Sequence, residues 1–169
     1  MRVLLDTQIW VYLHPKSPLK MSEAEKDLHV RAKLLEHEVH EDEHEIIVPT
    51  ICIGEYLTGC DPSTWVAVVR QFSEHFHCPD FDLPAAQQAA RVHQKWAAEL
   101  KGKIYKDRRN VLSADMKILG TALANRVKRL YTADADFRKL ASHFLEALDL
   151  PKSSPDLFLE KEIRRNLGG

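Results

Sequence analysis

The chain has three cysteines, Cys52, Cys60 and Cys78, and no CxxC spacing among them. An odd, unpaired set excludes a disulfide framework and points to reduced thiols in a cytoplasmic protein. There is also no excess of one charge: 24 Lys and Arg stand against 25 Asp and Glu, a formal net charge of −1. Bulk attraction to nucleic acid is thereby excluded, and any such binding has to use a local basic patch. No apolar run approaches membrane-spanning length, so no membrane association is expected. The apolar start is interrupted by Asp6, too early for a signal peptide. Internal repeats and low-complexity linkers are absent too. What is there, 169 residues with 44% hydrophobic and 29% charged side chains, is enough for one soluble domain with a proper core.

Val3, Leu4 and Leu5 form a continuous apolar run closed by Asp6. A buried parallel strand reads this way, with the carboxylate at its carboxyl tip. Residues 7–13 read as a first helix, in which Trp10 and Tyr12 pack. Residues 14–20 hold two prolines and read as a loop. Residues 21–44 form a long charged segment with a thin apolar stripe of Leu28, Ala32, Leu35 and Val39 at helical spacing. His37, His40 and His44 fall on it at i, i+3 and i+7, a spacing that suits a metal, but the flanking acids make a solvated helix end the better account. Residues 45–48 read as a second strand closed by Pro49, and Thr50 as the cap of a short helix through Leu57. Residues 65–76 and 84–100 read as two further helices, with His93 structural. Residues 101–110 are a basic loop carrying Lys101, Lys103, Lys106, Arg108 and Arg109, with Tyr105 interleaved.

Residues 111–137 organise the rest. Leu112, Met116, Leu119, Leu123 and Val127 make one helical stripe. Asp115 falls within that stripe rather than opposite it. Read alone, it is equally well an acid in a first helical turn capped by Ser113. Residues 129–132 then read as a strand, and Asp134 and Asp136 follow directly in an acidic turn. A last short strand is expected over 144–148, then a break at Pro151 and Pro155 and a C-terminal helix over 156–167. The order of elements predicts an α/β fold of three layers, α/β/α, with a short central parallel sheet.

Ligands in such sheets sit beyond the carboxyl ends of strands. Asp6 and Asp134 follow strands, while Glu55 and Asp115 are placed in the first turns of helices. Four carboxylates at one edge cannot all ionise unaided, because like charges raise one another's pKa. Divalent cations resolve the conflict, and oxygen-only donors suit Mg²⁺ or Mn²⁺ rather than zinc. One or two such ions activate a water and stabilise the leaving oxygen of a phosphodiester. The basic loop then reads as an edge that contacts phosphates, or as a plain solvated connection.

VLLDT at the start, the Glu in PTICIGEYLTG, the Asp in SADMKILGTAL and the turn TADADF stand in the order of the PIN-domain ribonucleases, and the chain resembles that family over nearly its whole length. VapC-type toxins of toxin–antitoxin pairs are the most similar group. The resemblance implies a PIN-like nuclease domain over residues 1–150, with a helical insert at about 15–44. A C-terminal helical extension over 151–169 would pack on the same domain. It implies Mg²⁺- or Mn²⁺-dependent RNA cleavage with Asp6, Glu55, Asp115 and Asp134 as catalytic metal ligands. Asp136 would be a further acid at the metal, and Thr7 and Thr132 would support it. RNA held by the basic loop, an antitoxin and a homodimer are the implied partners. Gln8 stands where Asn is common, Gly120 where Ala is usual, and the 21–44 segment is longer than in compact toxins.

Two other classes fit less well. A haloacid dehalogenase-type phosphatase also begins with Asp after a strand, but needs a second Asp where Gln8 stands. A catalytically silent PIN-like module that binds RNA or protein would not need all four acids.

Overall fold

The computed structural model describes residues 1–15, 20–99 and 109–153. The centre of the fold is β1 (Arg2–Leu5), whose Val3, Leu4 and Leu5 are at most 1% exposed. Burying each such side chain is worth about 1.5–3 kcal/mol. The remaining strands are β2 (Glu45–Ile47), β3 (Arg129–Tyr131) and β4 (Glu146–Leu148), and the sheet runs β2-β1-β3-β4 with every pairing parallel. Around it lie α1 (Thr7–Leu13), α2 (Glu23–Glu41), α3 (Thr50–Thr58), α4 (Trp65–His75), α5 (Leu83–Glu99), α6 (Arg109–Ala124) and α7 (Ala135–Ala141). This is the expected α/β/α arrangement on a parallel sheet.

Helix α2 begins at a capping box: Ser22 Oγ accepts from the Glu25 amide, and the Glu25 carboxylate accepts from the Ser22 amide. That reciprocal pair satisfies two amide groups that the helix start leaves open. Its stripe residues Ala32, Leu35 and Val39 are buried in the common core. The segment read as an insert is thus part of the crossover from β1 to β2. Its histidines do not form a metal cluster: His44 Nδ1 is bonded to the Asp42 carbonyl at 3.0 Å. Helix α3 starts at Pro49 with no side-chain cap, so Thr50 is its first residue and not its cap. The edge of β2 is laced to the stretch after α4 by Val48 N–H donating to His77 O at 2.9 Å, which covers an otherwise open strand.

Three sequence expectations are corrected. Helix α6 starts at Arg109, so Ser113 lies inside it and does not cap it, and Arg109 and Asn110 are helical rather than loop. Arg109 and Asn110 read as loop by polarity, yet Arg is a good helix former and extends the apolar helix backwards. Asp115, and likewise Glu55, therefore lie in second turns of their helices, not first. The acidic turn after β3 opens into α7, which the sequence reading lacked. Asp134 caps it by accepting from the amides of Asp136 and Phe137 at 2.8 and 3.0 Å.

Helices α5 and α6 meet without side chains between them at Gly120. A Cβ there would lie 2.7 Å from both Ala85 O and Ala89 N. The glycine that departs from the family pattern is thus what lets two backbones touch. At its C-terminus α6 ends with Arg126 in the left-handed region, φ 58°. Val127 N–H donates to Ala122 O at 3.0 Å and Arg126 N–H to Leu123 O at 3.1 Å, the bonds of a Schellman ending.

Candidate active site

The site grows from the parallel register of β1 and β3. Leu4 pairs with Leu130 and Leu5 with Tyr131, and the Asp6 amide continues the ladder by donating to Tyr131 O at 3.0 Å. One step further, Asp6 and Thr132 emerge side by side at the carboxyl edge. Thr132 Oγ1 donates to Asp6 Oδ2 at 2.7 Å, and the Thr7 amide donates to Asp6 Oδ1 at 2.7 Å. Thr132 is fully buried and Asp6 only 6% exposed. The same Thr132 hydroxyl accepts from the Asp134 amide at 3.0 Å, which sets the turn carrying that acid. Across from them, Thr7 Oγ1 donates to Glu55 Oε2 at 2.6 Å. Two threonine hydroxyls therefore orient two carboxylates, Thr132 that of Asp6 and Thr7 that of Glu55.

Electrostatics show how close the acids lie. Burial pushes the Asp6 carboxyl up to about 6. The bonds from Thr132 and Thr7 pull it down, and the charges of Glu55 and Asp134 add to the rise. Asp115 rises further, to about 7, through burial and then the charges of Asp6, Asp134, Glu55 and Asp136. Each of these acids thus makes Asp115 harder to ionise. Desolvation and like charges act together here, as at sites whose function is to gather negative charge. Asp136, at the start of α7, is exposed on the rim. Beneath the acids the Cys52 thiol is fully buried and pushed up well above its ordinary range, first by burial and then by the charge of Asp6.

The donors are all hard oxygens, the chemistry that Mg²⁺ or Mn²⁺ prefers. As they stand, however, no group of three or more His, Cys, Asp or Glu side chains among the described residues is arranged to hold an ion. Glu55 is turned toward Thr7, and Asp134 toward the amides of its own helix. An ion would have to draw these carboxylates inward.

Of the expected RNA-binding residues, Lys101, Lys103, Lys106 and Arg108 lie outside the described residues. Arg109 opens α6, the helix that carries Asp115. Sequence reasoning missed a groove of about 380 Å³ beside the acids, lined by Val11, Tyr12, Met21, Tyr56 and Cys60 among others. Its residues come from α1, α3 and the start of α2, and no single helical stripe announces them. Tyr12 lies close enough to the acids for the Asp6 charge to add to the effect of burial on its phenol. Nor did sequence reasoning link Arg138 to the acids, although it donates to the Thr132 carbonyl at 3.0 Å.

No helix among the described residues is long and apolar enough to cross a membrane. In fold, the chain is similar to VapBC2 from Rickettsia felis, solved bound to a DNA fragment from its promoter: TM-score 0.58, 16% identity, 89% of this chain and 100% of that chain. It is similar to VapBC-1 of nontypeable Haemophilus influenzae, with TM-score 0.59, 14% identity and 89% and 98% of the two chains covered. The DNA-bound VapBC of Salmonella typhimurium gives TM-score 0.56, 16% identity and coverage of 89% and 99%. No curated protein sequence matches. The profile of the PIN domain matches residues 3–142, from within β1 to just past α7. With the parallel sheet and the acids at its edge, that match shows that the chain belongs to the PIN domain family.

Proposed function

We propose that this PIN domain is a metal-dependent endoribonuclease of the cytoplasm, acting as the toxin of a toxin–antitoxin pair. The observation that supports this best is the set of acids around Asp6 and Asp115, whose ionisation is opposed by burial and by one another. Asp6, Glu55, Asp115 and Asp134 are the proposed ligands of Mg²⁺ or Mn²⁺, and Asp136 a further acid at the rim. The bound ion would supply an activated water and neutralise charge on the leaving oxygen of a phosphodiester. The protein's own part is to hold Asp6 through Thr132 and the Thr7 amide, and to hold Glu55 through the Thr7 hydroxyl. Lys101, Lys103, Lys106, Arg108 and Arg109 are proposed to hold RNA phosphates near the acids, offsetting their repulsion of a polyanion. Neutralising Arg108 and Arg109 together should flatten the slope of log K against log salt by roughly 0.7 for each phosphate no longer held.

One structure similar in fold is by name a toxin–antitoxin complex, from Klebsiella pneumoniae, and the groove beside the acids suits an antitoxin segment. It is largely apolar, and its Tyr12 lies within reach of the Asp6 charge. A homodimer is proposed as the working unit.

Two measurements test the nuclease reading. Calorimetric titration with Mn²⁺ should show binding to the wild type and little to Asp115→Asn, with both proteins folded by circular dichroism. Cleavage of a pool of structured RNAs should need Mg²⁺ or Mn²⁺, leave 5′-phosphates, and vanish in Asp6→Asn and Asp115→Asn. Cleavage that survives EDTA overturns the mechanism. Absence of Mn²⁺ binding by the wild type would leave a silent binding module instead.

A further inference from the structure

We infer that Arg138 is a positioning residue of the acidic site: it fixes the end of β3 through the Thr132 carbonyl, and with it the hydroxyl that holds Asp6. The inference deepens the metal-dependent reading above and rests on it.

Thr132 is where the geometry converges. Its amide donates to Leu148 O at 3.0 Å, so β4 holds one side of it. Its hydroxyl donates to Asp6 and accepts from the Asp134 amide. Its carbonyl is past the last paired residue of β3 and is taken by Arg138 Nη1 at 3.0 Å. A small rotation of this peptide would swing the hydroxyl away from Asp6 and release Asp134 as well. Arg138, from the middle of α7, restrains that rotation.

Arg138 is itself held. Its Nη1 lies 3.3 Å from Asp149 Oδ2. The other oxygen of Asp149 accepts from Arg31 Nη2 at 3.2 Å and from the Leu150 amide at 2.7 Å. Arg31 also donates to the carbonyls of Leu150 and Pro151, at 2.9 and 2.8 Å. A chain of ion pairs and hydrogen bonds thus runs from the crossover helix α2 to the acids: Arg31, Asp149, Arg138, Thr132, Asp6. Groups that orient metal ligands from behind typically change metal affinity 10- to 100-fold when lost.

The sign of the effect separates positioning from simple charge. Arg138 is a cation near an acidic cluster, so as a mere charge it repels a divalent ion, and Arg138→Gln would tighten Mn²⁺ binding. Positioning requires the reverse: about a tenfold weaker Kd in Arg138→Gln, largely restored in Arg138→Lys, which keeps both charge and donor. Calorimetry with Mn²⁺ reads this, and a thermal melt in EDTA checks folding. A metal-free measurement runs alongside. Hydrogen exchange at the Thr7 and Asp134 amides, which bond to Asp6 and Thr132, should quicken in Arg138→Gln while Leu130 in β3 is unchanged. If Arg138→Gln does not fold, Asp149→Asn loosens the same guanidinium and should quicken the same two amides. Mn²⁺ affinity equal to or above wild type, with unaltered exchange at Thr7 and Asp134, overturns the inference. If the wild type binds no Mn²⁺, the nuclease reading fails, and unaltered or quickened exchange alone decides whether Arg138 positions Asp6.

Discussion

Without metal, the protein should lose stability as the pH rises from about 4 to about 7. Unfolded, Asp6 titrates at its ordinary 3.8; folded, it titrates at about 6. Between those values the folded state keeps a proton that the unfolded chain has released, so unfolding releases protons and becomes easier as the pH rises. Each pH unit across that interval costs about 1.4 kcal/mol, which makes Asp6 alone worth roughly 3 kcal/mol. Asp115, raised to about 7, acts in the same direction. Other carboxylates titrate over the same range, so the contribution of Asp6 is isolated by difference. Asn at this position cannot ionise. It also has one acceptor oxygen where Asp6 has two, both of them engaged, and the bond it loses is a constant offset of about 1–2 kcal/mol. Urea denaturation of both proteins in EDTA, at steps from pH 4 to pH 8, gives the difference. The stability of Asp6→Asn minus that of wild type should rise by roughly 3 kcal/mol across the series. A difference that stays flat, or falls, refutes the account of Asp6 as a buried acid strained by its neighbours. Saturating Mn²⁺ should shrink the pH dependence of the wild type and leave the variant as it was.

Other outcomes follow from the same geometry. Thr132→Val removes the hydroxyl that favours ionised Asp6, so its loss of stability in EDTA should be larger at pH 8 than at pH 4 in denaturant titrations. Gly120→Ala gains about 1 kcal/mol of helix propensity but drives a Cβ into the backbone of α5, and urea titration should show a net loss of about 1–3 kcal/mol. Arg126→Gly relieves a side chain from the left-handed region, and a thermal melt should show a gain of about 1 kcal/mol.

The sequence made the strands that matter legible because their signals are local. Three consecutive aliphatics ended by Asp6 can be read without knowing their partners, and the same holds for the segment that ends at Thr132. The order of the acids was legible too. What lay beyond reach depends on contacts between distant elements. Nothing near Arg138 in the sequence indicates Asp149 or the Thr132 carbonyl. The thin stripe of α2 announced a helix but not that Ala32, Leu35 and Val39 join the same core as β1. Gly120 looked like a departure from the family pattern, and only the approach of Ala85 and Ala89 gives it a reason. The start of α6 was misjudged by two residues because Arg109 and Asn110 were taken for the end of the basic loop.

The bond between Thr132 and Asp6 joins residues 126 positions apart. Synthesis adds roughly 5–20 residues per second, so Asp6 is made about 6–25 s before Thr132. During that interval β1 has β2 available on one flank, but the place of β3 beside it is empty. A nascent chain, or a fragment abandoned by a stalled ribosome, can therefore hold Asp6, Glu55 and Asp115 without the hydroxyl that orients Asp6 or the turn that brings Asp134. If the proposed nuclease function holds, the order of translation is itself a safety catch: the acidic edge is completed only after nearly all of the domain has been made.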